Sequence, residues 1–260
     1  MTKSPKSNNS ADHRPKMPAE PILERRLHWV DALRGCAILL MFIYHFCFDL
    51  NYFGVLRQDF NHDIRWLGFR TVILSSFLTL VGVGIALGHG DKIRWPAFWK
   101  RWLQIAGGAL LVTIGTYAMF PRSYVYFGVL HHIALASVIA LAFVRVPKLV
   151  LALGIALLAI GNFVSHPYFD QPWLNWFGLM THKPITEDYV PLLPWFGMVL
   201  IGVAIGCWIK VRAPLEDWRA KSLVTKAFVW GGRHSLILYL IHQPIFVGLL
   251  SLLLAKSATN

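Results

Sequence analysis

Long apolar blocks separated by short polar segments dominate the chain after its first two dozen residues. Seven of these blocks are long enough to cross roughly 30 Å of hydrocarbon as α-helices. We place the membrane spans at 30–53, 69–88, 102–120, 125–144, 148–164, 192–209 and 234–255. The pattern predicts an all-α fold, a polytopic membrane helical bundle of about seven transmembrane helices.

Composition supports a membrane domain preceded by a polar tail. The 260 residues are 56% hydrophobic and 15% charged, whereas a soluble domain carries about 25% charge. Residues 1–26 lack an apolar block, so we expect a disordered basic cytosolic tail rather than a signal peptide. Residues 27–256 form the transmembrane domain. Cys36, Cys47 and Cys207 fall inside spans, where we expect small core hydrophobes.

The formal net charge of +12 is unevenly distributed across the predicted membrane. Lys and Arg number 18 in the tail and in the loops on its side, against six on the other side. The positive-inside rule therefore predicts a cytoplasmic N-terminus and an outer C-terminus. Because the basicity follows topology, the expected partner is the lipid bilayer, and no nucleic acid is expected.

The first span, residues 31–51, carries four ionisable side chains and reads DALRGCAILLMFIYHFCFDLN. Asp31 and Arg34 share a helix face near the cytoplasmic end and can pair. His45 follows Asp31 by 14 residues, roughly 21 Å along the helix axis. Asp49 lies one turn further out and can hydrogen-bond to His45. Ionisable groups inside a span are costly, so this face predicts a functional site.

Other polar side chains reach the same outer depth. The fourth span brings His131 and His132, the loop before the sixth brings Asp188, and the seventh carries His242. Burying all of these groups without a purpose would be costly. We therefore expect four segments to direct histidines and acids toward one outward-facing cavity. No metal-ligand spacing is present, so no metal is expected.

Several motifs resemble one family of membrane enzymes. D-x-L-R-G followed by a His fourteen residues after the Asp resembles the first helix of membrane-bound acyltransferases. The stretches that look like its members read RLHWVDALRGCAILLMFIYHFCFDLNYFG, YFGVLHHIAL, DYVPLLPWFGMVLIGVAIG and GRHSLILYLIHQPI. The chain resembles the bacterial branch of the heparan-α-glucosaminide N-acetyltransferase catalytic-domain family, which is related to type-3 membrane acyltransferases. The resemblance covers most of residues 27–250.

This resemblance implies a membrane acyltransferase in which residues 27–256 form the acyltransferase-like domain. An acyl group, acetyl in the first instance, would move from acyl-CoA to a sugar amine or hydroxyl. Acyl-CoA is then a co-substrate, no cofactor is bound, and the acceptor is a glycan or another small molecule. The location implied is the bacterial inner (plasma) membrane, and homo-oligomerisation is left open.

The resemblance also suggests roles for individual residues. In the type-3 branch the histidine of helix one is the proposed catalytic residue, which maps to His45. In the animal N-acetyltransferases the catalytic histidine lies in the loop after helix one, and the nearest residue here is His62. We favour His45 because Asp49 shares its helix face and could hold its tautomer. Further candidates for donor or acceptor binding are Asp31, Arg34, His131, His132, Asp188 and His242.

Two functions from other classes compete with acyl transfer. A transporter could use the His and Asp residues as a proton relay, although the chain has no internal repeat of the kind typical of transporters. A haem-binding redox protein could use His45 and His242 as axial ligands, provided that the two residues match in depth.

Overall fold

The computed structural model describes residues 27–90, 92–212 and 218–257, and all regular secondary structure in them is helical. The eight α-helices are α1 (His28–Tyr52), α2 (Ile64–His89), α3 (Trp95–Met119), α4 (Val129–Ala140), α5 (Pro147–Phe163), α6 (Phe196–Arg212), α7 (Leu223–Arg233) and α8 (Ser235–Ser257). The predicted disordered tail, residues 1–26, lies outside the described residues.

Within the described residues, four helices are long and apolar enough to cross a membrane: α1, α2, α3 and the Ser235–Leu254 part of α8. The apolar stretches Val129–Phe143, Pro147–Phe163 and Phe196–Lys210 are shorter. Each of the seven predicted spans contains one helix, and the all-α prediction is confirmed for the described residues. The chain is an integral membrane protein.

The basic segment between the sixth and seventh predicted spans contains a helix that hydropathy did not predict. In α7, Lys226 occupies the middle and Arg233 the last turn, and such charges lower the mean hydropathy of the segment. Ser222 begins the helix, because its hydroxyl accepts the backbone N–H of Thr225 at 3.1 Å. This N-cap is the sequence signal that could have located α7.

Neighbouring helices approach closely where glycine lies at the contact. A Cβ on Gly35 of α1 would overlap the backbone carbonyl of Phe228 in α7, and one on Gly232 of α7 would overlap the carbonyl of Asp31. The pairing of 35 with 228 and of 31 with 232 makes the two helices antiparallel. Small residues at such positions are typical of helix packing in membranes. Apolar side chains gain little free energy by moving from lipid into a helix contact, so close packing must stabilise the contact.

The contacts also fix the relative directions of α2 and α6. Gly202 packs on the backbone of Thr79, and Gly206 packs on Ala86. Residue numbers thus rise together along both helices, so α2 and α6 are parallel.

The directions of α1 and α5 follow in the same way. Val30 near the start of α1 packs with Val83 in α2, while Tyr44 in α1 contacts Trp66 near the start of α2. These two helices are therefore antiparallel. Gly154 of α5 packs on Gly197 of α6, and Gly161 of α5 packs on Pro194 just before α6. Hence α5 and α6 are antiparallel as well.

The contact of Gly232 with α1 predicts a loss of stability when a side chain is added. In Gly232→Ala the new Cβ would meet a backbone oxygen, which cannot rotate away, so α7 must shift from α1. We expect a lower thermal unfolding temperature in detergent, with a cost of about 1–3 kcal/mol. Gly107→Ala on α3 is the matched control, because no atom lies within 4 Å of its Cβ. Equal unfolding temperatures for the two variants would contradict the contact.

Candidate active site

The predicted pair of Asp31 and Arg34 is present at the N-terminal end of α1. Asp31 is buried, with 3% of its surface exposed, and its Oδ1 accepts from Arg34 Nη1 at 3.1 Å. Arg233, the last residue of α7, donates from Nε to Asp31 Oδ2 at 3.2 Å. Its Nη2 lies 3.3 Å from His28 Nε2. The two arginines and one carboxylate carry one net positive charge.

Sequence reasoning missed Arg233 as a member of this cluster. The side chain lies on another helix, 202 residues from Asp31. Spacing rules identify neighbours within one helix, so they found Arg34 but carried no information about α7.

In the C-terminal half of α1, His45 contacts His242 of α8. The two rings meet edge to face with centroids 4.9 Å apart, so the residues match in depth. His45 makes no hydrogen bond with a described residue. For axial haem ligation the rings would have to lie on opposite faces of a porphyrin. Their direct contact leaves no room for the macrocycle, so the haem alternative does not fit this geometry.

The expected hydrogen bond between His45 and Asp49 is not formed. Asp49 instead accepts from Gln243 of α8, whose Nε2 lies 2.7 Å from Asp49 Oδ1. His45 and Asp49 do share one face of α1, because both meet α8. The amide of Gln243 satisfies a carboxylate oxygen that the sequence assigned to the imidazole. Gln243 is neutral, so the pattern of ionisable residues in the sequence does not identify it as the partner of Asp49.

His242 is connected to the loop between α5 and α6 through a tyrosine. Its Nδ1 donates to the backbone oxygen of Tyr239 at 2.6 Å. The Tyr239 hydroxyl in turn donates to Asp188 Oδ2 at 3.3 Å, and the same oxygen accepts from the backbone N–H of Val129 at 2.9 Å. Asp188 therefore caps the first turn of α4 and joins the loop between α5 and α6 to α4 and α8.

Burial raises the pKa of the Asp188 carboxyl. The hydrogen bonds from Val129 and Tyr239, and the nearby charges of Lys183 and Arg70, act in the opposite direction but do not outweigh burial. Asp188 is thus connected to His242 through Tyr239 and not by direct contact.

His131 is fully satisfied by neighbouring groups of α3 and of the turn before α4. The backbone N–H of Gly128 donates to His131 Nδ1 at 3.2 Å, so Nε2 carries the proton and donates to Thr113 Oγ1 at 3.0 Å. The Thr113 hydroxyl in turn donates a hydrogen bond to the carbonyl oxygen of Val125 at 2.7 Å. These bonds fasten the start of α4 to α3, and they give His131 a structural role.

His132 points in another direction and is completely buried. Its Nδ1 donates to the carbonyl oxygen of Pro191 at 3.1 Å. None of the described contacts of His131 or His132 reaches His45. The predicted single cluster is therefore divided: His45, Asp49, His242 and Asp188 are linked through α8, whereas the two histidines of α4 bond elsewhere.

His62, the alternative catalytic residue, forms the pair of imidazole and carboxylate that His45 lacks. Its Nδ1 lies 2.9 Å from Asp59 Oδ2, and the hydrogen bond from His62 holds the pKa of Asp59 below its usual value. The pair lies in the loop between α1 and α2, and the His62 side chain is 86% exposed. A carboxylate on Nδ1 is the arrangement that orients a general base.

The helices and these contacts define a helical membrane protein with a cluster of histidines and acids inside the bundle. Residues 26–244 match the family model described as heparan-alpha-glucosaminide N-acetyltransferase, catalytic. The chain therefore belongs to this family, as its motifs predicted. Because this is an acetyltransferase family, the chain is a transferase of the membrane acetyltransferase kind. No curated protein and no solved structure matches the chain.

The raised pKa of Asp188 predicts a dependence of stability on pH. Asp188→Ala removes the acceptor of Val129 and Tyr239, which should cost about 0.5–2 kcal/mol, as loss of a cap does. Asp188→Asn keeps an acceptor but does not ionise. Because burial raises the folded pKa above the ordinary 3.8, wild-type stability should fall as pH rises from 3.8 to that raised value.

Thermal unfolding in detergent across this pH range checks both variants. We expect Asp188→Asn to gain stability relative to wild type as pH rises through the window. Glu187→Ala is the matched control, because Glu187 is the neighbouring acid, is exposed and accepts a hydrogen bond from the Ser123 hydroxyl. If the unfolding temperatures of Asp188→Asn and wild type differ by the same amount at every pH, folding does not raise the pKa of Asp188.

Proposed function

We propose that the protein transfers an acyl group, acetyl in the first instance, from acyl-CoA to an amine or hydroxyl group of a sugar. The observation that carries this proposal is the family match over residues 26–244. The matched segment includes both polar clusters, the one at Asp31 and the one at His45. A transferase family also favours this function over a transporter. The membrane we propose is the bacterial inner (plasma) membrane.

We assign His45 as the general base. An attacking amine or hydroxyl must lose a proton as its bond to the thioester carbonyl carbon forms, and imidazole is suited to accept it. The carbon–sulfur bond then breaks, and the CoA thiolate leaves and takes up a proton. His45 is half-buried beside His242, one turn from the charge of Asp49, which favours the imidazolium that forms. His62, oriented by Asp59, is the alternative base.

The donor would enter from the end of the bundle at which α1 begins. Arg34 and Arg233 are held there by the buried carboxylate of Asp31, and guanidinium groups suit the phosphates of CoA. The pantetheine arm would then have to cover the roughly 21 Å of α1 between Asp31 and His45.

The relative helix directions agree with seven crossings, and the excess of Lys and Arg on the side of the tail supports an N-terminus inside. In such a topology the odd-numbered spans are parallel to one another and antiparallel to the even-numbered spans. The observed pairs agree: α2 and α6 are parallel, and α1 with α2 and α5 with α6 are antiparallel. Here α7 is an additional short helix between the sixth and seventh spans, packed on α1.

Loss of His45 should abolish transfer while the protein still folds. Removing a general base typically slows a reaction by about 10²–10⁴. Purified His45→Ala in detergent, with radiolabelled acetyl-CoA and a panel of amino sugars and glycans, tests this by the labelled product formed. His62→Ala should have a smaller effect, because its side chain is exposed in a loop. Near-normal turnover of His45→Ala with an inactive His62→Ala would identify His62 as the base.

The topology predicts an outer C-terminus. A C-terminal fusion to alkaline phosphatase should be active, and the matching fusion to a fluorescent protein that folds only in the cytosol should be dark. A second pair of fusions in the loop between α2 and α3 is the internal control and should give the opposite result. Fluorescence at the C-terminus would mean an even number of crossings.

A further inference from the structure

Where α1 contacts α8, three buried acceptor atoms receive no hydrogen bond from a described residue. Asp49 is 2% exposed and His242 is 5% exposed. Asp49 Oδ2, Gln243 Oε1 and His242 Nε2 have no partner among the described residues. Leaving a buried polar atom unpaired costs about 1–3 kcal/mol. Gln243 bonds to Asp49, and His242 precedes Gln243 on α8 and contacts His45, one turn from Asp49. Three such atoms at one helix contact therefore point to a ligand that pairs with them.

All three atoms are hydrogen-bond acceptors. Asp49 Oδ2 is a carboxylate oxygen, and its other oxygen already accepts from Gln243 Nε2 at 2.7 Å. This bond uses a donor hydrogen of the Gln243 amide and leaves the carbonyl oxygen Oε1. The carbonyl of Tyr239 can only accept, so His242 holds its proton on Nδ1 and leaves a lone pair on Nε2. The ligand must supply the hydrogens.

Only one of the three atoms belongs to a charged side chain, so a group with N–H or O–H bonds matches them better than a metal ion. Among the described residues no group of three or more His, Cys, Asp or Glu side chains could hold a metal. An amine or a hydroxyl carries the hydrogens that the three acceptors need.

We propose that Asp49, Gln243 and His242 form the subsite that binds the attacking amine or hydroxyl of the acyl acceptor through its own hydrogens. This inference rests on the proposed function and goes beyond it by giving Gln243 a binding role. It also changes the role of Asp49, which binds the nucleophile instead of orienting His45. The base is well placed for this, because His45 lies one helical turn from Asp49 and contacts His242.

Exchanging the carboxylate of Asp49 and the amide of Gln243 between α1 and α8 distinguishes a role in ligand binding from a role in helix packing. In Asp49→Asn one unpaired acceptor of the subsite becomes a donor, which clashes with the ligand hydrogens. In Gln243→Glu two carboxylates face each other, and the bond at 2.7 Å is lost. In the double variant Asp49→Asn/Gln243→Glu the asparagine amide can donate to the glutamate, and both remaining oxygens are acceptors again.

The measurements are the KM for the acceptor and kcat, taken with saturating acetyl-CoA. For each single variant we expect kcat/KM to fall roughly 10- to 100-fold, as for loss of a hydrogen bond to a charged group. The double variant should recover to within about threefold of wild type. Gln104→Glu on α3, an exposed amide that bonds to Arg101, is the matched control and should leave the KM unchanged.

The outcomes distinguish failure of the subsite from failure of the proposed function. An active wild type whose Asp49 and Gln243 variants keep the acceptor KM, or a double variant worse than both single ones, would overturn the subsite alone. A wild type that transfers nothing to any acceptor would overturn the proposed function. In that case a binding measurement tests the subsite. Glucosamine should raise the unfolding temperature of wild type but not that of Asp49→Asn. An unchanged unfolding temperature of wild type would overturn the subsite.

Discussion

Close contact between helix backbones at glycine positions determines which polar side chains meet in this protein. In lipid the burial of apolar side chains provides little drive for helices to associate, so tight packing must supply it. Gly35 and Gly232 bring the backbones of α1 and α7 into contact. Only at that distance can Arg233 at the end of α7 reach the buried carboxylate of Asp31.

The same constraint operates at the other end of the bundle. A Cβ on Gly128 would overlap the carboxylate of Asp188. Because Gly128 has no Cβ, the Asp188 carboxylate can lie over the first turn of α4. There it accepts hydrogen bonds from the backbone N–H of Val129 and from the hydroxyl of Tyr239 in α8. One oxygen thereby joins the loop between α5 and α6 to two helices. The position of His242, whose Nδ1 bonds to the backbone of Tyr239, follows from this link.

The sequence predicted the elements of the fold better than it predicted the contacts between them. Every predicted span contains a helix, because a long apolar block has few other structures in a membrane. The basic α7 lacked that signal. Within α1, spacing correctly paired Asp31 with Arg34. It failed for His45 and Asp49, because Gln243 of α8 occupies the carboxylate. Spacing gives the depth of a residue, whereas helix packing decides which way it faces.

Asp31 and Asp49 lie on the same helix, but their hydrogen-bond partners give the two carboxylates different roles. Asp31 is held by two guanidinium groups, one on each carboxylate oxygen. Such a pair is costly to break, since removing one partner leaves an uncompensated buried charge, so Asp31 acts as an anchor.

Asp49 is bound by a neutral amide on one oxygen only. Gln243 satisfies that oxygen without cancelling the negative charge. A lysine or arginine at position 243 would have neutralised the carboxylate and occupied its hydrogen-bonding capacity with a permanent partner. The neutral partner leaves a buried, negatively charged acceptor one turn from His45. Of the two aspartates on α1, Asp49 is therefore the one that can exchange partners during a reaction cycle.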